Sequence, residues 1–355
     1  MRFWALRGGC VTPLKIEMLP ARKGDAFIVT WDEGHSKTRR IVIDGGLAAC
    51  GDVLCERAKS WTAIDLVVVT HVDADHIEGM VRFLGRASSL PKIERVWFND
   101  AQHLKQVATL GPVQGEYLQV LVDAKELPRH QDAIVVDTRK AFPVFTIGQA
   151  ELTVLLPTIE GLRKLCVVWN RACQKARLQA GDLVAAAERL NKDRHLRPLG
   201  GRTQEIAEEF TDADDSATNK SSIVFLLEVG GRSVLFSGDA HADDLVDAIK
   251  RLKSERRIPR RMPLGAIKVP HHGAAGNMTS ELVNEVDCPL WIFSTNGEGH
   301  GHPHAQAIAR IVLGARPTNG KTRLAFNYSQ PGQMTGIDGE YEVIVGVDGE
   351  LTLEP

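Results

Sequence analysis

The chain lacks several features that would place it in a specialised class of proteins. No apolar run approaches the roughly 18 residues that a membrane helix needs, and the first nine residues are too short and too charged for a signal peptide. A net charge of −2 excludes a globally basic coat for nucleic acid. The six cysteines form neither a C-x-x-C pair nor a dense disulfide framework. We therefore expect a soluble, cytoplasmic protein with reduced thiols and no membrane association.

Length and hydrophobic periodicity predict one large α/β domain. With 355 residues, of which 43% are apolar, the chain can bury a sizeable core. Short apolar runs predict strands near residues 14–19, 26–31, 40–44, 65–70, 93–98, 143–147, 151–156, 222–229 and 232–236, with a helix near 75–86. Between residues 158 and 215 the apolar spacing changes to three and four, which is typical of helices. The pattern predicts a single domain over residues 1–355 that contains a helical insertion at 158–215.

The most informative segment directly follows the apolar run 66–69. His71, Asp73, Asp75 and His76 place four potential metal ligands within six residues, at the end of a predicted buried strand. Open α/β sheets bind their ligands at this edge, and two carboxylates so close together repel each other unless a cation lies between them. A simple helix cap is the alternative, but a cap needs only one acid. The segment therefore predicts a divalent metal site.

The other histidines support a single site that is built from several loops. Seven of the twelve histidines lie in three short clusters. The second cluster, His271 and His272, follows the apolar run 266–270, and the third cluster follows the apolar run 291–294; its members are His300, His302 and His304. A further strand-like run, 233–236, leads to Asp239. Loops at the ends of several strands would bring these side chains together.

Taken in order, these motifs resemble the metallo-β-lactamase superfamily and, within it, the nuclease domain of ComEC-type competence proteins. The matching segments are 24–29, 41–46, 71–76, 236–240, 268–273 and 301–304. The resemblance implies an α/β fold of the αββα sandwich type with two divalent ions, and it implies that Asp239 bridges them. The competence proteins are attached to a membrane channel, and we do not carry their role in DNA uptake over to this chain.

The same resemblance implies the ligands of each ion. The first ion would take His71, Asp73 and Asn219, and the second would take Asp75, His76 and one of His271 or His272; His271 is our assignment, with His272 as a substrate contact. The superfamily usually has histidines at the positions of Asp73 and Asn219. This oxygen-rich set favours Mn²⁺ or Mg²⁺ over Zn²⁺, and Zn²⁺ stays an alternative.

Two metal ions can clamp a phosphodiester and activate a water molecule, which makes hydrolysis the expected chemistry. Asp75, His302 and His304 are candidate catalytic residues, with one of the two histidines as the acid that protonates the departing alkoxide. Lys268 is a candidate substrate contact. The basic run 250–261, which includes Arg256 and Arg257, could bind phosphates or could simply be a solvated helix face.

The sequence thus predicts a metal-dependent phosphodiesterase that cleaves DNA or RNA. One alternative is an enzyme that hydrolyses a small cyclic or modified nucleotide beneath the helical insertion. Another is a regulatory subunit with a structural metal site, whose insertion binds a partner protein. The fold alone does not choose among these functions.

Overall fold

The structure is a computed structural model that describes residues 14–34, 37–86, 90–101, 103, 113–175, 182–192, 216–329, 334 and 337–355. The first 13 residues and much of the predicted insertion, residues 176–181 and 193–215, lie outside the described residues. No helix in the described part is long and apolar enough to cross a membrane.

The described strands, in chain order, are β1 Lys15–Met18, β2 Phe27–Asp32, β3 Thr38–Ile43, β4 Ala63–Ile64, β5 Leu66–Val68, β6 Lys92–Ile93, β7 Val96–Trp97, β8 Val144–Ile147, β9 Ala150–Leu156, β10 Val224–Val229, β11 Arg232–Phe236, β12 Met262–Pro263, β13 Ala266–Lys268, β14 Val286–Asp287, β15 Leu290–Phe293, β16 Thr322–Phe326, β17 Tyr341–Val345 and β18 Leu351–Leu353. The helices are α1 Ala48–Ala58, α2 Ala74–Arg86, α3 Val113–Ala124, α4 Ile159–Lys175, α5 Leu183–Lys192, α6 Ala217–Lys220, α7 Ala242–Arg256, α8 Ser280–Glu285 and α9 Ala305–Gly314.

Most strands belong to two mixed sheets. The first sheet has six strands in the order β18-β1-β2-β3-β5-β7, and the second has eight in the order β17-β16-β15-β13-β11-β10-β9-β8. Within them, β3, β5 and β7 run parallel to one another, as do β11, β13, β15, β16 and β17. Two further pairs, β4 with β6 and β12 with β14, are small separate sheets.

Alternating side chains explain why the two sheets stack. In β2, Phe27 and Val29 belong to the core that both sheets share, whereas Ile28 belongs to a second core beneath the helices. Ring contacts join the sheets directly: Phe27 lies 6.0 Å from Phe236, centroid to centroid. A strand with apolar residues on both faces must be covered on both sides.

Helices cover the outer faces of both sheets. Buried residues of α1, α2, α3 and α4 pack on the first sheet in the second core, and buried residues of α7, α8 and α9 pack with the second sheet. The resulting helix–sheet–sheet–helix layering confirms the predicted αββα sandwich. The strand predictions near residues 26–31, 40–44, 151–156 and 232–236 agree with β2, β3, β9 and β11 to within two residues at each end.

The chain between β9 and β10 leaves the second sheet and returns to it. These strands are antiparallel neighbours, with Leu152 opposite Leu227, yet α4, α5 and α6 lie between them in sequence. On α4, Leu162, Leu165 and Trp169 pack into the core of the first sheet's helices. The predicted boundaries of a helical insertion at 158–215 stay a prediction.

Candidate metal centre

Four buried side chains converge at the carboxyl edge of the parallel strands. One ligand atom from each of Asp25, His76, Asp239 and His272 lies within 4.8 Å of the others, and all four residues are buried. Asp25 precedes β2, His76 lies in the first turn of α2, Asp239 follows β11, and His272 follows β13. Parallel strands end at a common edge, so residues that are distant in sequence meet there.

The Nε2 atoms of the two histidines converge on one point. His76 Nδ1 lies 2.8 Å from Asp44 Oδ2, and His272 Nδ1 lies 2.9 Å from the carbonyl oxygen of Ser294. These partners accept hydrogen bonds, so in the neutral imidazoles the proton sits on Nδ1 and the lone pair on Nε2. The two Nε2 atoms lie only 3.3 Å apart. Such convergence, with each ring oriented from behind, is the usual arrangement of metal-binding histidines.

The Asp239 carboxylate completes this group. Its Oδ2 atom lies 3.2 Å from both His76 Nε2 and His272 Nε2. Burial raises the pKa of Asp239, but the charges of His272 and His76 outweigh burial and hold the pKa well below its ordinary value. In the metal-free protein, burial lowers the pKa of His272, while Asp239 and Asp25 raise it to about 9. The site therefore attracts positive charge, which protons supply when no metal ion does.

Asp25 lies behind the histidines. Its Oδ1 atom lies 3.3 Å from His272 Nδ1 and its Oδ2 atom 3.9 Å from His76 Nδ1. These are the ring nitrogens that face away from Asp239. Burial raises the pKa of Asp25, but the Lys268 ammonium and then the His272 charge outweigh burial and lower the pKa to about 2. Asp25 thus places negative charge behind the histidines, on the side away from Asp239, while Asp44 and the Ser294 carbonyl accept their hydrogen bonds.

Asp44 fixes the orientation of His76. It follows β3 in the left-handed backbone region, with φ 55°, and its carboxylate accepts hydrogen bonds of 2.7 Å from the backbone and hydroxyl of Thr70. The neighbouring Gly45 contacts α2 so closely that a Cβ there would lie 2.2 Å from the backbone nitrogen of Met80. Glycine is required because only a bare backbone permits this approach.

A second group of polar atoms lies beside the first. His71 Nε2 is 3.6 Å from Asp73 Oδ2, which accepts a 3.0 Å hydrogen bond from Thr218. In the described part of the chain, no hydrogen-bond partner reaches the buried atoms His71 Nε2 and Asn219 Oδ1. The rings of His71 and His76 are 4.1 Å apart, centroid to centroid. Buried polar atoms without partners are costly, and a bound cation would satisfy them.

The remaining sequence candidates surround these groups. Asp75 Oδ2 lies 3.8 Å from His272 Nε2. His271 Nε2 lies 3.9 Å from Asp239 Oδ2, and its Nδ1 atom faces Asn277 at 3.2 Å. The structure therefore places His272, which we expected to contact substrate, nearer to Asp239 than His271.

Both His271 and His272 occupy the left-handed backbone region, with φ 47° and 53°. Non-glycine residues rarely adopt it, and such strain is found at functional sites where the surrounding structure enforces it. Here the turn Pro270–Gly273 directs the two adjacent rings differently, so that His272 is buried while a fifth of the His271 side chain stays exposed.

His302 and His304 lie at the mouth of the site. The His302 ring is 5.1 Å from that of His271, and burial together with the neighbouring histidine charges lowers the pKa of His302 to about 2. His304 Nδ1 accepts a 3.0 Å hydrogen bond from the backbone of Ala275, and its Nε2 faces the carbonyl oxygen of His300 at 3.3 Å. His304 is thus held with its proton on Nε2.

Lys268 lies inside the site and not on its surface. Its Nζ atom bonds Asp25 Oδ2, lies 3.3 Å from Asp239 Oδ1 and donates to the carbonyl oxygen of Gly238 at 2.9 Å. Burial lowers the pKa of Lys268, but the two carboxylates outweigh burial and raise it. A lysine that is 1% exposed does not face a substrate in this structure.

The structure does not bring Arg256 and Arg257 to the centre. Arg256 is the last residue of α7 and Arg257 follows it. The first residue of this helix lies shortly after Asp239 in the chain, and its 15 residues span about 22 Å. Arg256 forms a bidentate pair with Glu228 at 2.8 and 2.7 Å. Other cations of the basic run are also paired, Lys250 with Glu281 and Lys253 with Glu285.

The residues present fit a divalent ion. Asp239, His76 and His272 supply two imidazole nitrogens and a carboxylate oxygen, which suit Mn²⁺, Fe²⁺ or Zn²⁺. His71 and Asp73 lie together beside this set, and the buried Oδ1 atom of Asn219, the residue after the Thr218 that bonds Asp73, is the third atom that the sequence assigns to them. Sequence reasoning did not assign roles to Asp25 and Asp44, although the segments that contain them belong to the family-like motifs. In the sequence, the one feature that marks Asp25 and Asp44 is that each acid is next to a glycine at the end of a strand.

Comparison with known proteins adds only structural likenesses. No family model matches the chain, and no curated protein matches it. The metallo-β-lactamase fold protein YhfI from Bacillus subtilis is 11% identical in sequence, and the match covers 96% of this chain and 100% of that one with a TM-score of 0.41. A variant of CmlA β-hydroxylase is 13% identical, and the match covers 98% of this chain and 55% of that one with a TM-score of 0.40. The short form of human tRNase Z is 12% identical, and the match covers 96% of this chain and 99% of that one with a TM-score of 0.39. Such distant likenesses do not bear on activity.

Proposed function

We propose that the protein is a metal-dependent phosphodiesterase. The observation that supports this most strongly is the convergence of His76 Nε2, His272 Nε2 and Asp239 Oδ2 within 3.3 Å of one another. His71 and Asp73 lie beside it, 3.6 Å from each other and with the His71 ring 4.1 Å from that of His76, and we propose that Asn219 joins them. Pairs of adjacent metal sites, about 3.5–4 Å apart, are the common device of phosphatases and nucleases.

Each set of side chains has a role in this proposal. We assign His76, His272, Asp239 and Asp75 to one ion and His71, Asp73 and Asn219 to the other, with Asp239 close to both. Bound divalent ions would supply Lewis acidity toward a phosphate and lower the pKa of a water molecule. Asp44 and the carbonyl of Ser294 orient the histidines, which preserves the geometry of the ligands without touching the substrate.

His304 positions the leaving group in this proposal. Its Nδ1 accepts a backbone hydrogen bond, so the neutral ring carries its proton on Nε2, at the partly exposed mouth of the site. A neutral imidazole is too weak an acid to give up that proton, so we assign His304 to hydrogen-bonding the departing oxygen, which takes its proton from solvent. His302 stacks beside the ligand histidines and, being uncharged, can pack against a substrate without repelling their cations.

Nucleic acid is the proposed substrate class, and it rests on the sequence motifs that resemble a nuclease domain. A second candidate, a small phosphodiester such as a cyclic nucleotide, is favoured by one observation. Four of the seven cations in the basic run that could have bound a long polyanion, Lys250, Arg251, Lys253 and Arg256, are paired with acids, and Arg256 lies at the far end of α7 from Asp239.

One assay separates these candidates. Protein prepared without metal should hydrolyse a chromogenic bis-aryl phosphate only after Mn²⁺, Zn²⁺ or Mg²⁺ is added, and single-stranded DNA, RNA and cyclic nucleotides are compared under the same conditions. His272→Ala should abolish every activity, while Arg256→Gln, which is remote from the site, is the matched control. Metal-loaded protein that cleaves none of these phosphodiesters would contradict the proposal.

A further inference from the structure

The feature that the proposed function leaves unexplained is a lysine inside the metal centre. Lys268 is the last residue of β13, which pairs on one side with β11 and on the other with β15. A central strand has both faces covered, and a buried charge there is costly unless it is paired and hydrogen-bonded. The position therefore calls for a specific partner.

Lys268 has one partner for each of its three protons. Around Nζ lie Asp25 Oδ2, Asp239 Oδ1 at 3.3 Å and the carbonyl oxygen of Gly238 at 2.9 Å. An ammonium group has three donors and no acceptor, so this environment matches the charged form. Because Asp25 precedes a strand of the first sheet and Asp239 follows a strand of the second, the lysine also ties the two sheets together at the site.

The two oxygens of Asp239 face different cations. Oδ1 faces Lys268, whereas Oδ2 lies 3.2 Å from the Nε2 atoms of His76 and His272. A carboxylate held in this way cannot offer both oxygens to metal ions unless the lysine moves. Oδ1 of Asp239 is thus occupied by the Lys268 ammonium, and only Oδ2 is left to bind a metal ion.

We propose that Lys268 is a positioning residue, a built-in counter-cation that holds Asp239 and Asp25 in place before a metal ion arrives and leaves only Oδ2 of Asp239 for metal binding. This inference rests on the proposed function insofar as it assumes that divalent ions bind at His76, His272 and Asp239. It adds that the protein is organised for metal binding without the ion, and that Asp239 joins two ions only through a single oxygen.

The test compares thermal unfolding with and without MnCl₂. Lys268→Met keeps a long apolar stem but leaves two buried carboxylates without their cation. We expect the melting temperature of the metal-free variant to fall by roughly 5–10 °C, as for the loss of one partner from a buried ion pair. The rise caused by MnCl₂ should be larger than in the wild type, because the ion now neutralises charge that the lysine neutralised before.

Two further variants make the result specific. Lys268→Met combined with Asp25→Asn removes one positive and one negative charge, so it should recover at least half of the loss in the metal-free protein. Lys253→Met breaks a partly exposed ion pair between Lys253 of α7 and Glu285 of α8, away from the site, and should leave the MnCl₂-induced rise unchanged. A double variant that is no more stable than Lys268→Met would overturn charge compensation in favour of simple packing.

The outcomes separate this inference from the proposed function. If MnCl₂ and ZnCl₂ stabilise neither the wild type nor any variant, and equilibrium dialysis finds no bound ion, the proposed metal site itself fails. If the wild type binds the ion but the rise on adding MnCl₂ is the same with and without Lys268, only the role of the lysine is overturned. A larger rise in Lys268→Met, together with recovery in the double variant, supports it.

Discussion

Replacing each of the adjacent histidines 271 and 272 in turn tests the assignment of the metal ligands. His272→Ala removes an Nε2 atom that lies 3.2 Å from Asp239 Oδ2 and 3.3 Å from His76 Nε2. His271→Ala removes an Nε2 atom that lies 3.9 Å from Asp239 Oδ2, and it also removes the Nδ1 atom of His271 that faces Asn277. The two variants delete the same chemical group from neighbouring positions, so each serves as the control for the other.

The expected difference is large. Loss of a residue that merely orients a ligand typically lowers metal affinity by about 10–100-fold, so loss of a ligand should exceed about 100-fold, or roughly 2.7 kcal/mol. We therefore expect more than 100-fold weaker Mn²⁺ or Zn²⁺ binding for His272→Ala and less than about tenfold for His271→Ala.

Isothermal titration of metal-free protein measures both affinities, and circular dichroism confirms that both variants are folded. The reverse order, with His271→Ala losing more affinity than His272→Ala, would refute the assignment of His272 as the ligand. Equal losses would show that the ion lies between the two rings and not beside His76.

Three other predictions concern packing, pH and the basic run. Gly24→Ala should unfold the site or abolish ion binding, because its Cβ would lie 1.8 Å from the carbonyl oxygen of Asp75, whereas Gly85→Ala meets nothing closer than 3.8 Å and should not destabilise the protein; calorimetry with and without MnCl₂ compares them. The raised pKa of His272, about 9 in the metal-free fold and about 6.5 unfolded, contributes stability that is fully present below pH ~6.5 and lost as the pH rises to about 9. Urea unfolding in EDTA should show a loss of about 3 kcal/mol over that range, and a flat profile would contradict the buried charge network. Arg256→Gln should cost about 0.5–1 kcal/mol of stability and leave hydrolysis of all phosphodiesters unchanged; a selective loss of nucleic-acid cleavage would restore the basic run as a binding surface.

The sequence predicted the elements that depend on local pattern. The apolar run 66–69 indicated a buried strand, and the structure has β5 there, with His71 Nε2 3.6 Å from Asp73 Oδ2 just beyond its end. That these two side chains bind a metal ion stays a prediction. The apolar runs near residues 26–31 and 40–44 likewise predicted strands, and inward residues of β2 and β3 form part of the core between the sheets. These features repeat at fixed spacing, so they are readable without knowledge of the rest of the chain.

Other features depend on partners that are distant in sequence. His271 and His272 are adjacent and chemically identical, and only the left-handed turn decides which ring is buried. Arg256 is neutralised by Glu228 from another element, a pairing that no local pattern shows. Asp25 and Asp44 act behind the histidines, and acids in such supporting positions carry no spacing rule that links them to their partners.

The ion itself is the most direct test of the account. Crystals of protein reconstituted with MnCl₂ or ZnCl₂, measured at the absorption edge of the metal, would locate bound ions by anomalous scattering. The account predicts one peak between His76 Nε2, His272 Nε2 and Asp239 Oδ2, and a second peak beside His71 and Asp73. Fully loaded crystals with no peak among these side chains, or with a peak only elsewhere, would contradict the metal centre and the hydrolytic function proposed from it.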